Sequence, residues 1–333
     1  MNYDLVGIGN ALVDLEAKVD DAFIQQYSLV KGGMTLASPQ DQNTILKALD
    51  GKTEKISSGG SAANTLHGFS VLGGKSYYLG RVANDDYGQL YTEDMTECGV
   101  GFPGPDGEPE ETGTCVVLIT PDSERTMLTH LGISAELHSR NVDPTIVKNS
   151  KCVYVEGYLW TGDETRAAAK RMVEIAQENK IPVAFTLSDA FVVNLYKESL
   201  RNFIQQNVDI LFCNEVEARA MTDSDDAETA FEILSQWTEV LFLTRGAKGS
   251  WAKKKDDARV SINTFPIVPV DTTGAGDLYA AGALYGLINK RSLEESSIVG
   301  SYCASQVVTH LGARMPIHSH TEIEKILEAY AQL

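Results

Sequence analysis

The chain shows none of the usual marks of an exported, membrane-spanning or nucleic-acid-binding protein. No run reaches the ~20 apolar residues of a membrane span, and the opening MNYDLVGIGN has no basic stretch ahead of an apolar core, so export is not expected. Five cysteines (Cys98, Cys115, Cys152, Cys213 and Cys303) are scattered without a CxxC pair. That spacing excludes a zinc knuckle and suggests no disulfide framework, so a reduced, cytoplasmic setting is expected. Basic side chains are scarce, with 28 Lys and Arg against 46 Asp and Glu, a net charge of −18. Such a surface repels nucleic-acid phosphates and anionic membranes, and an anionic ligand would need its charge met locally. Of the six histidines, His318 and His320 stand two apart, too few for a metal cage. Two phosphate-site strings are incomplete as well. Gly7-Ile8-Gly9 lacks the third glycine of GxGxxG, because Leu12 stands there, and a strand pattern follows instead of a helix. Gly74-Lys75-Ser76 resembles the end of a P-loop, yet Phe69 replaces its leading glycine and the context is helix-to-strand.

What is present is an ordinary globular composition, 43% hydrophobic and 22% charged over 333 residues. That length buries a sizeable core without disulfide or metal staples, in one large α/β unit or two modest domains. Strand-like runs (Tyr3 to Ile8, KCVYVEGYLW, IPVAFTLS, DILFCN, VLFLT) alternate with stretches of helical spacing, which predicts a mostly parallel sheet with helices on both faces. The alternating LVDLEAKV (12–19), GGMTLAS (32–38) and the hairpin TCVVLITP/RTMLTHL (114–131) break that rhythm. They predict half-exposed strands of a small separate sheet inserted in pieces, a β flap on an α/β body.

Four motifs carry candidate chemistry. DTTGAGD (271–277) follows a strand-like run, TFPIVPV, and opens a helix of small residues. Gly274 and Gly276 leave backbone N–H groups uncovered at that helix start, where unpaired donors and the positive dipole end form an anion nest. Asp277 beside the nest suits a base that takes a proton from an attacking hydroxyl, although a plain Asp-bearing helix start explains the string too. SSGGSAANT (57–65) combines a close-approach glycine pair with Ser61 and Asn64, which suit substrate hydroxyls. A helix N-cap after a flexible loop explains it equally. Asn214 and Glu217, after DILFC, fall at a strand's carboxyl edge, where open α/β sheets bind ligands, and also fit a capping box. Thr244 to Gly249 forms another glycine turn at a strand end, and a hairpin loop accounts for it as well.

Together with GNALVD (9–14) and GRVANDDYG (80–88), these motifs resemble the ribokinase-like (PfkB) family of carbohydrate and nucleoside kinases, over essentially the whole chain. The adenosine kinase branch is the most similar, through GNALVDLEAKVDDAFIQQYSL, DILFCNEVEA and GSYCASQVVTHLGARMP, while the 245–249 turn is closer to the sugar-kinase form. The resemblance implies a three-layer α/β/α body at 1–10, 50–98 and 132–333, and a discontinuous β lid at about 11–49 and 99–131. It implies an anion hole at Gly274, Ala275 and Gly276 and a catalytic base at Asp277. Substrate contacts fall on Asp14, Gly60 and Asn64, with Arg125 able to approach the phosphates or to stand as a solvated hairpin charge. Nucleotide contacts fall on Asn214, Glu217, Thr244, Gly246 and Gly249, with Glu217 acting indirectly in a Mg²⁺ network. Mg²⁺ with ATP is the implied cofactor pair, and a K⁺ ion is implied near Asp271 and Thr273. The expected reaction is ATP-dependent phosphorylation of a primary hydroxyl on an adenosine-like nucleoside, with a sugar such as ribose, fructose or 2-keto-3-deoxygluconate as the alternative acceptor. A non-catalytic nucleotide-binding regulator on the same fold is the rival reading, and a dinucleotide oxidoreductase a more distant one. No nucleic-acid or membrane partner is expected, and the chain is expected as a monomer or a lid-mediated homodimer.

Overall fold

The computed structural model describes residues 2–105, 107, 110–122, 124–315 and 322–333, so His318 and His320 lie outside the described residues. The strands, in chain order, begin with β1 (Tyr3–Ile8), β2 (Leu12–Lys18), β3 (Met34–Leu36), β4 (Lys55–Gly59), β5 (Ser76–Leu79), β6 (Val100–Gly101) and β7 (Gly113–Ile119). They continue with β8 (Arg125–His130), β9 (Ser150–Glu156), β10 (Val183–Thr186), β11 (Ile210–Asn214), β12 (Val240–Thr244), β13 (Ser250–Lys254) and β14 (Val260–Ile262).

Nine of them form one sheet in the order β14-β13-β12-β11-β10-β9-β1-β5-β6. It is parallel from β12 to β6 and antiparallel only at the β12-β13-β14 edge, as the βα rhythm predicts. The strands read as continuous apolar runs because both faces are covered. On one face lie the helices Ser61–Val71, Ala275–Ile288 and Leu293–Val307, and on the other Asp163–Glu178 and Ala190–Asn207. The helix Ala275–Ile288 is buried nearly all round, which explains its small side chains: Ala280, Ala281, Gly282 and Ala283 let neighbouring backbones approach.

The remaining five strands form the second sheet, β3-β8-β7-β2-β4. β7 and β8 are the expected hairpin. The expected division of the chain shifts at two strands. β4 pairs with β2 in the small sheet, although Ser and Gly give KISSG little strand propensity and the segment reads as a loop by composition. β6 pairs with β5 in the large sheet and not with the hairpin.

Three local expectations change too. β2 is not half-exposed: Leu12 to Ala17 are all buried. Its apolar face, Val13, Leu15 and Ala17, joins the main core, while Asp14 and Glu16 turn from solvent into the interior of the molecule. TFPIVPV forms no strand, since Pro266 and Pro269 remove two ladder donors, and Val268 is 83% exposed. KCVYVEGYLW is not one long strand. β9 stops at Glu156 and a 3₁₀ turn, Gly157–Thr161, follows.

Candidate active site

The carboxyl ends of β1, β9, β10, β11 and β12 open into a cleft of about 430 Å³, roofed by the second sheet. This is the crevice position that open α/β sheets favour for ligands. Asp14, Gly60, Asn64, Arg125, Asn214, Glu217, Thr244, Thr273, Gly274, Ala275, Gly276 and Asp277 all line it. Gly246 and Gly249 do not line it. Gly249, at φ +83°, is held against the Ile262 carbonyl and serves the β13-β14 edge.

Gly274 caps the helix Ala275–Ile288 at φ +75°, a conformation suited to glycine, and Asp277 follows in the first turn. No side chain among the described residues caps this helix; Ala275 N donates to the Thr272 carbonyl at 3.3 Å, and the Gly276 and Asp277 N–H groups stay open for a ligand's negative charge. The Asp277 carboxylate is half-buried and held at both oxygens. Ser61 Oγ donates to Oδ1 at 2.7 Å, and Asn64 Nδ2 donates to Oδ2 at 2.9 Å. Burial pushes its pKa above the ordinary aspartate value, and the hydrogen bonds from Asn64 and Ser61 hold it back. Ser61 and Asn64, expected to meet substrate hydroxyls, thus spend these donors on Asp277, and Asn64 Oδ1 is buried without a partner among the described residues.

Asp14 is 7% exposed, and no hydrogen bond engages its carboxylate among the described residues. Burial raises its pKa to about 7, Glu16 adds to the rise, and Arg314 and Arg125 oppose it. A buried carboxylate without donors at the edge of a cleft is available to accept hydrogen bonds from a ligand. Around it, β3, β7 and β8 contribute an apolar wall of Met34, Leu36, Cys115, Val117 and Met127. Arg125 opens β8 at the cleft, half-buried, and its guanidinium makes no hydrogen bond or ion pair among the described residues. Its positive charge lowers the pKa values of both Asp14 and Asp277.

At the β11 end, Asn214 Oδ1 accepts from Val216 N and Glu217 N, while Glu217 accepts from Asn214 N and Nδ2 at 3.0 and 2.6 Å. The capping box is therefore real, and the same pair lines the cleft. Burial raises Glu217 to about 8, a value that a nearby Mg²⁺ arriving with a nucleotide would bring down.

The implied monovalent-cation site does not fit the residues present. Both oxygens of Asp271 are already engaged, by Thr273 N and Oγ1 at 2.9 and 2.5 Å and by Gly312 N at 2.9 Å. The adjacent Leu311 carbonyl accepts from Lys55 Nζ at 2.7 Å. Elsewhere, His67, Asp94 and Cys98 gather closely enough for a metal ion. However, the Arg314 guanidinium already stands 3.9 Å from Asp94, and Cys98 Sγ already pairs with His67 Nε2 at 2.8 Å.

One cleft residue was hidden in the sequence. Glu156, 0% exposed, accepts from Asn10 N at 2.7 Å and Ala62 N at 2.8 Å, which ties the end of β1 to the start of the Ser61–Val71 helix. Burial raises its pKa to about 8 against those two hydrogen bonds. Its signal was the end of β9, masked by the apolar run that continues through Gly157 to Trp160.

The arrangement is an open helix N-terminus, a carboxylate beside it and a second carboxylate facing an apolar wall, all at a parallel sheet's carboxyl edge, a set of groups that can support phosphoryl transfer. Residues 34–320 match the family described as pfkB family carbohydrate kinase, and the chain belongs to that family: it is an ATP-dependent kinase. A probable sugar kinase from Rhizobium etli CFN 42 superposes with a TM-score of 0.93 at 33% identity over 99% of each chain. An adenosine kinase from Sinorhizobium meliloti does so with a TM-score of 0.90 at 38% identity, over 94% of this chain and 96% of that one. Adenosine kinase 2 of Arabidopsis thaliana is 26% identical over 346 residues, covering 95% of this chain and 97% of its own.

Proposed function

We propose that this kinase phosphorylates the primary hydroxyl of a nucleoside, with adenosine as its acceptor. The observation that carries the reading is the pairing of a donor-free Asp14 with the apolar wall of β3, β7 and β8 in one cleft. A nucleoside presents ribose hydroxyls to a carboxylate and a flat base to apolar side chains, whereas a free sugar leaves that wall unused. Two adenosine kinases among the similar proteins support the same choice.

Asp14 accepts the ribose hydroxyls and sets the primary hydroxyl toward Asp277. Asp277, oriented by Ser61 and Asn64, takes the hydroxyl proton as the oxygen bonds to the γ-phosphorus of Mg-ATP. The bond from the γ-phosphorus to the β,γ-bridging oxygen breaks, and ADP leaves with the electron pair. The open N–H groups after Gly274 and the Arg125 guanidinium meet the charge on the transferring group, so positioning and electrostatics supply most of the rate. The second sheet acts as a lid that excludes water and limits ATP hydrolysis. No step is assigned to a bound monovalent cation.

The test is ADP release from Mg-ATP with adenosine, inosine, guanosine, ribose, fructose and 2-keto-3-deoxygluconate. Adenosine is expected to give the highest kcat/KM. A sugar in first place would keep the mechanism and overturn the acceptor. Nucleotide binding with no turnover on the whole panel would favour a regulator.

A further inference from the structure

Lys55 and Glu16 are cross-strand partners on β4 and β2, and both reach out of the second sheet to the same point on the body. Lys55 Nζ donates to the Leu311 carbonyl. Gly312, at φ +94°, leaves no room for a side chain. A Cβ there would stand 2.3 Å from Lys55 Nζ and 2.9 Å from Glu16 Oε1, so ammonium and carboxylate abut one glycine. Glu16 is 1% exposed and neither of its oxygens has a hydrogen-bond partner among the described residues. The Gly312 N–H then donates to Asp271, Asp271 holds Thr273, and Ala313 packs on Gly274, the cap of the anion nest. A continuous path of contacts therefore runs from Lys55 to the loop that receives the phosphoryl group.

We propose that Lys55 is a built-in cation, whose ammonium on the Leu311 carbonyl supplies beside the 311–313 loop the single positive charge that a free monovalent ion would supply, so that turnover needs no potassium. The inference rests on the kinase reading of the site. An ammonium carries the same single charge as K⁺, and that of Lys55 is held by the Leu311 carbonyl. Tethering it to β4 removes the entropy cost of capturing a free ion. Its charge also answers the buried Glu16, whose ionised form burial disfavours first and nearby Asp271 disfavours further. Lys55 acts through the 311–313 loop on the nest and is a positioning residue. Because it stands three residues before Ser58, it also fastens the substrate loop to that support.

The experiment compares the wild type and Lys55→Met in tetramethylammonium, potassium and ammonium chloride at equal ionic strength, by turnover with Mg-ATP and by thermal unfolding. Wild-type turnover and Tm are expected to be the same in all three salts. Lys55→Met is expected to lose about tenfold or more in turnover in tetramethylammonium, the scale set by loss of a supporting group around a charged site. K⁺ or ammonium should restore most of that loss and raise the variant's Tm, since an ion that binds only the folded state stabilises it. Wild-type turnover that rises severalfold with K⁺ overturns the proposal, and so does a variant whose loss no cation repairs, because that would make Lys55 merely structural. The unfolding comparison needs no turnover. Inactive wild type on every acceptor would sink the kinase reading, while a K⁺-dependent wild-type Tm would sink this one.

Discussion

The Asp14 carboxylate lies against the backbone of Gly59, so close that a Cβ on that glycine would fall 2.2 Å from Oδ2 and 2.3 Å from Cγ. Register explains the contact. β2 and β4 pair Asp14 with Ser57 and Leu12 with Gly59, so the Asp14 side chain leans diagonally over the space a side chain would fill. The missing side chain is what lets a donor-free carboxylate sit in the cleft. Gly59→Ala is therefore expected to displace Asp14 and raise KM for the acceptor by about 10–100-fold, the worth of hydrogen bonds to a charged group. The KM for ATP should move little. Steady-state kinetics on both substrates checks this, and an unchanged acceptor KM would remove Asp14 from the substrate site.

Asp277→Asn keeps the size of the side chain and one of its acceptor oxygens, but takes away the base. The expected result is a kcat lower by about 10²–10⁴ with ATP binding retained. Asn64→Ala should produce a smaller fall in kcat, since Ser61 still holds Oδ1. Full turnover by the Asn variant would show that the proton goes elsewhere.

Four buried acids give the fold a pH dependence whose sign is fixed. Asp14 and Glu16 are raised to about 7, and Glu156 and Glu217 to about 8, in each case chiefly by burial. Unfolded, these groups titrate near 4. Between about pH 5 and 8 the native chain therefore binds more protons than the unfolded one, and stability falls as pH rises. Calorimetry should find a lower Tm at pH 8 than at pH 5.5. A Tm that rises over this interval would mean that the carboxylates are ionised in the native state without penalty.

The body of the fold was legible because parallel strands covered on both faces leave continuous apolar runs, as in DILFC and VLFLT. The motif DTTGAGD was legible because glycines at a helix start expose donors whatever surrounds them. The second sheet was harder to delimit. β4 is held by its register with β2 and by Lys55 reaching Leu311, 256 positions away, and nothing in KISSG announces either. The alternation in β2 was read correctly as period two, but the polar face turned inward, because an active-site face carries the same pattern as a wetted one. Glu156 and Lys55 carry no sequence signal for a related reason. Their roles depend on backbone groups at Asn10, Ala62 and Leu311, and backbone groups have no sequence signature.

Glu156 makes the sharpest case for a brace outside the reacting atoms. Its two oxygens take one N–H each, from Asn10 at the end of β1 and from Ala62 at the head of the helix that carries Ser61 and Asn64. Glu156→Gln preserves volume but offers a single carbonyl, so one buried N–H loses its acceptor and meets an NH₂ group instead. An unmet buried donor costs about 1–3 kcal/mol, which in a chain of this size lowers Tm by roughly 2–6 °C. The helix head should also loosen its hold on Asp277, so kcat is expected to fall alongside Tm. Thermal unfolding and single-turnover kinetics measured on the same preparation decide the matter. A stability loss with kcat untouched would make Glu156 a folding residue only, whereas an unchanged Tm would mean that the two N–H groups find other acceptors.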